Sequence, residues 1–306
     1  MKGFNPEGWS GCGKTQDRAF YTETNLKEAI TNGEILSATV YMCDSEHNLL
    51  VNLGSMKGII PRKEGAVGIE EGETRDIALI SRVGKSVCFT VNEITEDEKG
   101  TKVALLSRKT AQLRHRREVL DSLLPGDIID AKVTHLESFG AFCDIGCGNI
   151  ALLPIDSISV SRISHPSDRF SAGDEIKAII KSVDAAGRIT LSHKELLGTW
   201  QENADEFEQG QTVSGVIRSI ESYGVFVELA PNLAGLAEIK DNVKVGQSAS
   251  VYIKSIIPEK MKIKLIIIDS FDEKTKSQHK YFYEGEHIDS FIYSPYSSSR
   301  IIETVF

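Results

Sequence analysis

No apolar run in this chain of 306 residues approaches the roughly 20 residues a membrane helix needs. The strongest run, Ile263 to Asp269 (IKLIIID), is strand-sized and bounded by charge. The N-terminus carries no apolar signal core, so a cytoplasmic rather than a secreted protein is expected. Cysteine is sparse and odd in number: Cys12, Cys43, Cys88, Cys143 and Cys147. An odd count without an export signal argues against a disulfide framework, and free thiols in a reducing compartment are expected. Cys143 and Cys147 are the only close pair, and no His or Cys nearby in sequence completes a metal site.

Positive charge is also short. Lys and Arg number 35 against 44 Asp and Glu, a formal net charge of −9. That argues against coating duplex DNA by bulk charge. It leaves open single strands, which stacking and a local basic groove can hold. Catalytic signatures are missing too. The histidines, at 47, 115, 135, 165, 193, 279 and 287, form no i,i+4 metal pair, and no G-x-S-x-G elbow occurs. No enzyme activity, cofactor or metal is therefore expected. One stretch points elsewhere: GWSGCGKT, Gly8 to Thr15, fits G-x-x-x-x-G-K-[ST]. A phosphate-cradling loop needs a strand before it and a helix after it. Only MKGFNPE precedes Gly8, and no apolar helical stripe follows Thr15. The stretch reads as part of a flexible or packed N-terminal arm, and Lys14→Ala would test nucleotide binding.

What the sequence has is repetition. Gly33-Glu34-Ile35, Gly126-Asp127-Ile128 and Gly210-Gln211-Thr212 open three similar segments. GDIIDAKVTHLESFGAFCDI, from Gly126, aligns without gaps on GQTVSGVIRSIESYGVFVEL, from Gly210. The first copy, from Gly33, keeps the apolar pattern but loses both aromatics. Ile129, Ala131 and Val133 alternate with Asp130, Lys132 and Thr134, as in a half-buried strand. Several such strands within each copy predict a mainly β fold of three tandem five-stranded OB-fold barrels joined by short α-helices. The boundaries read as an N-terminal arm 1–30, a degenerate first copy 31–107, a basic linker helix 108–125 and a second copy 126–192. A linker helix 193–209, a third copy 210–270 and a tail 271–306 follow. The tail begins polar and ends strand-like. Leu113, Leu120 and Leu124 are the expected apolar stripe of the first linker. The second opens on a capping-box pattern, Ser192 with Glu195, and would bury Leu197, Trp200, Ala204 and Phe207.

The paired aromatics carry the candidate chemistry. Phe139 and Phe142, like Tyr223 and Phe226, are three apart with a glycine between, Gly140 or Gly224. On a regular strand such residues face opposite sides. A glycine permits a bend that brings both rings to one surface, a platform for unpaired bases. The alternative is that the rings are barrel core. Basic hairpins follow each pair: Asp184 to Arg188, and Lys260, Lys262 and Lys264.

At these residues the chain resembles a known family. GDIIDAKVTHLESFGAFCDIG with VDAAGRITLSHKE resembles the S1 RNA-binding domain, with specific likeness in the second copy, good in the third and weak in the first. The resemblance implies RNA contact through two aromatics, a histidine, an aspartate and an arginine. It places the aromatics on Phe139 and Phe142, the aspartate on Asp184 and the arginine on Arg188. The histidine position falls on Pro154. In the third copy it gives Tyr223, Phe226 and Lys262, with Glu238 and Pro258 at the histidine and aspartate positions. In the first copy the aromatic positions fall near His47 and Leu50 and the histidine position on Pro61, so that copy is expected not to stack bases. Lys132 is a further candidate phosphate contact, and Arg114, Arg116 and Arg117, beside Arg108 and Lys109, form a candidate phosphate track. The expected function is binding of single-stranded messenger RNA in translation, with the small ribosomal subunit as a candidate partner of the first copy. A protein-interaction scaffold with vestigial RNA binding is the alternative.

Overall fold

The computed structural model describes residues 5–10, 20–97, 99–272 and 280–306. Gly13, Lys14 and Thr15 of the loop-like motif lie outside the described residues. Gly8 is described: it sits at φ 70° in a turn where the Trp9 N–H donates to the Pro6 carbonyl. No strand precedes it among the described residues 5–10.

Strands with apolar residues at alternate positions give a sheet one dry face, and closing the sheet leaves no exposed edge. Three five-stranded sheets close in this way, as the repeats predict. The chain divides into two compact units. One is built on the first barrel and takes in residues 130–132 and 144–150; the other is built on the second and third barrels.

In the first unit, α1 (Glu23–Asn32) is a helix that the sequence reading of the arm did not foresee. A reciprocal Thr22–Asn25 cap starts it, and Gly33, left-handed at φ 63°, stops it. Its Leu26 and Ala29 enter the barrel core with Phe89 and Leu106. The barrel follows with β1 (Ile35–Cys43), β2 (Leu49–Asn52) and β3 (Lys57–Ile60). Then come α2 (Ile77–Ile80), β4 (Ser86–Glu96) and β5 (Lys102–Ser107), in the order β1-β2-β3-β5-β4.

Helix α3 (Arg108–Glu118) corrects the predicted stripe. Of Leu113, Leu120 and Leu124 only Leu120 is buried; the other two are exposed. The buried face is Arg108, Ala111, Gln112 and His115. The physical reason is a set of distant polar partners. The buried Glu7 carboxylate accepts two bonds from the Arg108 guanidinium, at 2.7 and 3.0 Å, and one from Arg82. Gln112 donates to the Gly148 carbonyl at 2.9 Å. The Asn149 amide sits 3.1 Å from His115 Nδ1. A bidentate charge pair with further hydrogen bonds is the form in which burying a charge is tolerable.

The second barrel, which apart from residues 130–132 and 144–150 lies in the second unit, comprises β6 (Ile128–Glu137), β7 (Gly140–Asp144), β8 (Ile150–Pro154), β9 (Glu175–Val183) and β10 (Ile189–Ser192). The second linker is not one helix. Lys194–Leu197 form a 3-10 turn, Gly198 breaks it at φ 84°, and α4 (Trp200–Ala204) starts afresh. The reciprocal cap belongs to Thr199 and Glu202. Ser192 instead ends β10, its hydroxyl bonded to the Glu195 carboxylate. A side chain at Gly198 would meet the Phe282 ring at 2.7 Å, so the break lets the tail pack there. Leu197, Trp200 and Ala204 are buried as expected.

The third barrel comprises β11 (Thr212–Glu221), β12 (Gly224–Ala230), β13 (Leu233–Ala237), β14 (Ser248–Ile257) and β15 (Lys262–Phe271). The Arg169 guanidinium, on the connection from β8 to β9, pairs with Glu228 of β12, and both are buried. Asn232 accepts from the Val160 N–H and donates to the Lys194 and Gly198 carbonyls. These bonds fix the second barrel's connections against the third. The tail closes the unit with a two-stranded sheet, β16 (Ser290–Ile292) and β17 (Glu303–Val305). Its Tyr293 hydroxyl donates to the Asn232 carbonyl at 2.6 Å. Among the described residues no helix is long and apolar enough to cross a membrane.

Candidate nucleic-acid interface

The first ring of each pair escapes strand alternation because it is not on a strand. Ser138 and Phe139 connect β6 to β7, and Ser222 and Tyr223 connect β11 to β12, where Glu221 pairs with Gly224. Two-residue connections turn the chain tightly. Phe142 and Phe226 follow on the outer side of β7 and β12, while Ala141, Cys143, Val225 and Val227 point into the cores. A Cβ on Gly140 would lie 2.5 Å from the Leu153 carbonyl oxygen, and one on Gly224 2.6 Å from that of Ala237. Glycine therefore serves the close approach of the third strand to the start of the second.

Both copies end in the same geometry. The Phe139 and Phe142 rings are 6.0 Å apart and perpendicular, at 89°. Tyr223 and Phe226 are 6.1 Å apart at 90°. This edge-to-face arrangement is the favoured one for an aromatic pair. Phe139 is 54% exposed and Tyr223 67%, while the second ring of each pair is half-buried. The rings are surface, not core.

A third ring joins the second barrel's pair. His135, on β6, lies 6.4 Å from Phe142 with the planes 21° from parallel. Sequence reasoning counted it among scattered histidines. Only strand pairing brings it to Phe142, so the motif carried no signal for it.

Arg188 and Asp184 meet in the β9–β10 hairpin. Asp184 accepts from the Ala186 and Arg188 N–H groups at 2.9 Å, and the Arg188 guanidinium donates to it at 2.7 Å. The backbone and side-chain bonds from Arg188 hold the Asp184 carboxyl below its ordinary range. The aspartate thus shapes the turn and steadies an arginine whose side chain stays 83% exposed.

Lys262 is exposed at the start of β15. Lys264, read from sequence in the same basic hairpin, is placed by register beside a ring: Ser219, Phe226, Leu236 and Lys264 form one row across β11, β12, β13 and β15. Glu238, exposed just beyond β13, puts a negative charge near that face. In the first barrel the equivalent row is Met42, Leu50, Ile59 and Leu105. It is wholly aliphatic. His47 sits in a longer turn at φ 63°, 3.7 Å from Asp76, with no ring pair among the described residues.

Other predicted cations are otherwise engaged. The Lys132 ammonium donates to the Gly8 carbonyl and holds the N-terminal arm. Arg114 pairs with Glu118 at 2.7 Å, and Arg117 approaches the same carboxylate at 3.4 Å. Arg116 is half-buried, Arg108 is consumed by Glu7, and Lys109 pairs with Glu70 at 2.7 Å.

Residues 123–194 match the S1 RNA binding domain family. Small ribosomal subunit protein bS1 of Staphylococcus epidermidis is 30% identical over 281 residues, spanning 89% of this chain and 68% of that protein. Its counterpart in Staphylococcus aureus (strain COL) is 30% identical across 94% of this chain and 77% of that protein. The Bacillus subtilis small ribosomal subunit protein bS1 homolog is 30% identical across 73% of this chain and 59% of that protein. On that extent of likeness, with three closed barrels and an S1 RNA-binding domain in the second, the chain belongs to the bacterial bS1 family of S1-domain proteins.

Proposed function

We propose that this protein holds single-stranded messenger RNA on the small ribosomal subunit, stacking bases on Phe139 and Phe142 and, less strongly, on Tyr223 and Phe226. The observation that carries the reading is the recurrence of one exposed, perpendicular ring pair at one place in two barrels. Every base has a π face, so such a platform tolerates any sequence. Arg188, steadied by Asp184, and Lys262 contact phosphate. Lys132, Arg114 and Arg117 have carboxylate or carbonyl partners and contribute less than their charge implies. Two modest sites on one chain raise affinity through effective concentration.

The Phe139→Ala, Phe142→Ala double variant is expected to lose about 1–3 kcal/mol of single-stranded RNA affinity per stacked base. Titration of a labelled oligoribonucleotide measures it, and unchanged affinity in a folded variant sinks the reading.

The first barrel's aliphatic row favours a different role for that copy, contact with protein of the small subunit. Co-sedimentation with small subunits, with and without messenger RNA, tests it. Sedimentation that vanishes with the RNA rules the protein contact out.

A further inference from the structure

We propose that His135 is a third base-stacking residue of the second barrel, so that this barrel grips an unpaired base more tightly than the third barrel does. The inference rests on the RNA-binding reading above and adds to it a residue that the aromatic pattern omits. Four observations support it.

First, position. His135 lies on β6, which β7 neighbours in the barrel, and its ring meets Phe142 on the outer surface rather than in the core. Second, orientation. Its plane is within 21° of the Phe142 plane, whereas Phe139 stands perpendicular. Two near-parallel faces present the same aspect to one planar base. Third, support. Glu137, two residues on along the same face, lies 2.6 Å from His135 Nε2. That bond fixes the imidazole while the ring stays 65% exposed. The carboxylate also disfavours phosphate at this point, so what His135 offers is its π face.

Fourth, comparison among the copies. In the ungapped repeat alignment the His135 position is Ser219 in the third barrel. Ser219 pairs with Phe226 across β11 and β12, as the register requires, but has no ring to offer. In the first barrel Met42, paired with Leu50, occupies the position. One row of the fold therefore carries three grades of surface: aliphatic, one ring with an ammonium, and two rings. The histidine makes the difference between the second and third.

The test uses the full chain and an oligoribonucleotide of about 10 nucleotides, within the span of an OB-fold site, carrying one 2-aminopurine. His135→Ser is expected to weaken binding about fivefold or more and to reduce fluorescence quenching. The dependence on salt should not change, because no phosphate contact is lost. His135→Phe should restore affinity. Ser219→His should raise it, and this arm does not depend on the folding of any His135 variant. If the wild-type protein binds and quenches but His135→Ser does so equally, the inference is overturned. Failure of His135→Phe to rescue, or a shallower salt slope in His135→Ser, overturns it as well. No binding by the wild-type protein instead removes the RNA-binding reading itself.

Discussion

Removing a negative charge beside a polyanion ordinarily strengthens binding, but Asp184 should behave the other way. Its carboxylate accepts from two backbone N–H groups and the Arg188 guanidinium, so it organises the turn that presents the cation. Asp184→Ala is expected to lower RNA affinity in the same titration, and a rise would show that the carboxylate simply repels phosphate. Gly140 is the second residue-scale case. A methyl group there would sit 2.5 Å from a backbone oxygen that cannot move cheaply. Gly140→Ala should cost about 1–3 kcal/mol of stability, the range for overpacking a filled site, read from urea unfolding. At this scale much was legible. The glycine between two aromatics recurs in sequence, and its physical meaning follows from the lack of a side chain. His135 was not legible, because a partner across a strand is defined by register, and a one-residue slip would have moved it to the other face.

Elements were legible where apolar periodicity governs them and misleading where polar partners do. Strands β6 and β11 follow their alternation. The helix α3 does not follow its leucines, since Glu7 and the Gly146–Asn149 segment dictate its buried face from far away in sequence. The second linker breaks at Gly198 because the tail's Phe282 needs the space. That buried polar face has a consequence for pH. Burial pushes the His115 imidazole down to about 4, from an ordinary value of 6.5. Its Nδ1 sits where the Asn149 amide can donate, which suits the neutral ring. Above about pH 6.5 the ring is neutral in both folded and unfolded chains, and its contribution to stability is complete. As pH falls from there toward 4 only the unfolded chain takes up the proton, so stability is lost progressively, by about 3 kcal/mol in all. His115→Gln should flatten the stability profile between pH 6.5 and 4 relative to the wild-type protein. Unfolding midpoints in denaturant across that range measure the difference, and parallel profiles would place the histidine in solvent.

At the scale of the whole molecule, a net charge of −9 and a role in holding RNA are reconciled by where the cations stand. Many basic side chains are matched locally: Arg108 and Arg82 with Glu7, Lys109 with Glu70, Arg114 with Glu118 and Arg169 with Glu228. Arg188, Lys262 and Lys264 stand exposed on the hairpins and outer strands of the two ring-bearing barrels. Counterion release counts the phosphates a protein neutralises, with a slope of about −0.7 per contact on single strands. Three contacts give a slope near −2 in log affinity against log salt, shallow beside that of a protein that coats duplex by charge. Stacking does not release counterions and persists in salt. The expected result is binding that weakens modestly from low to physiological salt, with Arg188→Ala reducing the slope by about 0.7 and the ring variants leaving it unchanged. A steep slope insensitive to Arg188 would place the nucleic acid on other cations and move the interface off the ring pairs.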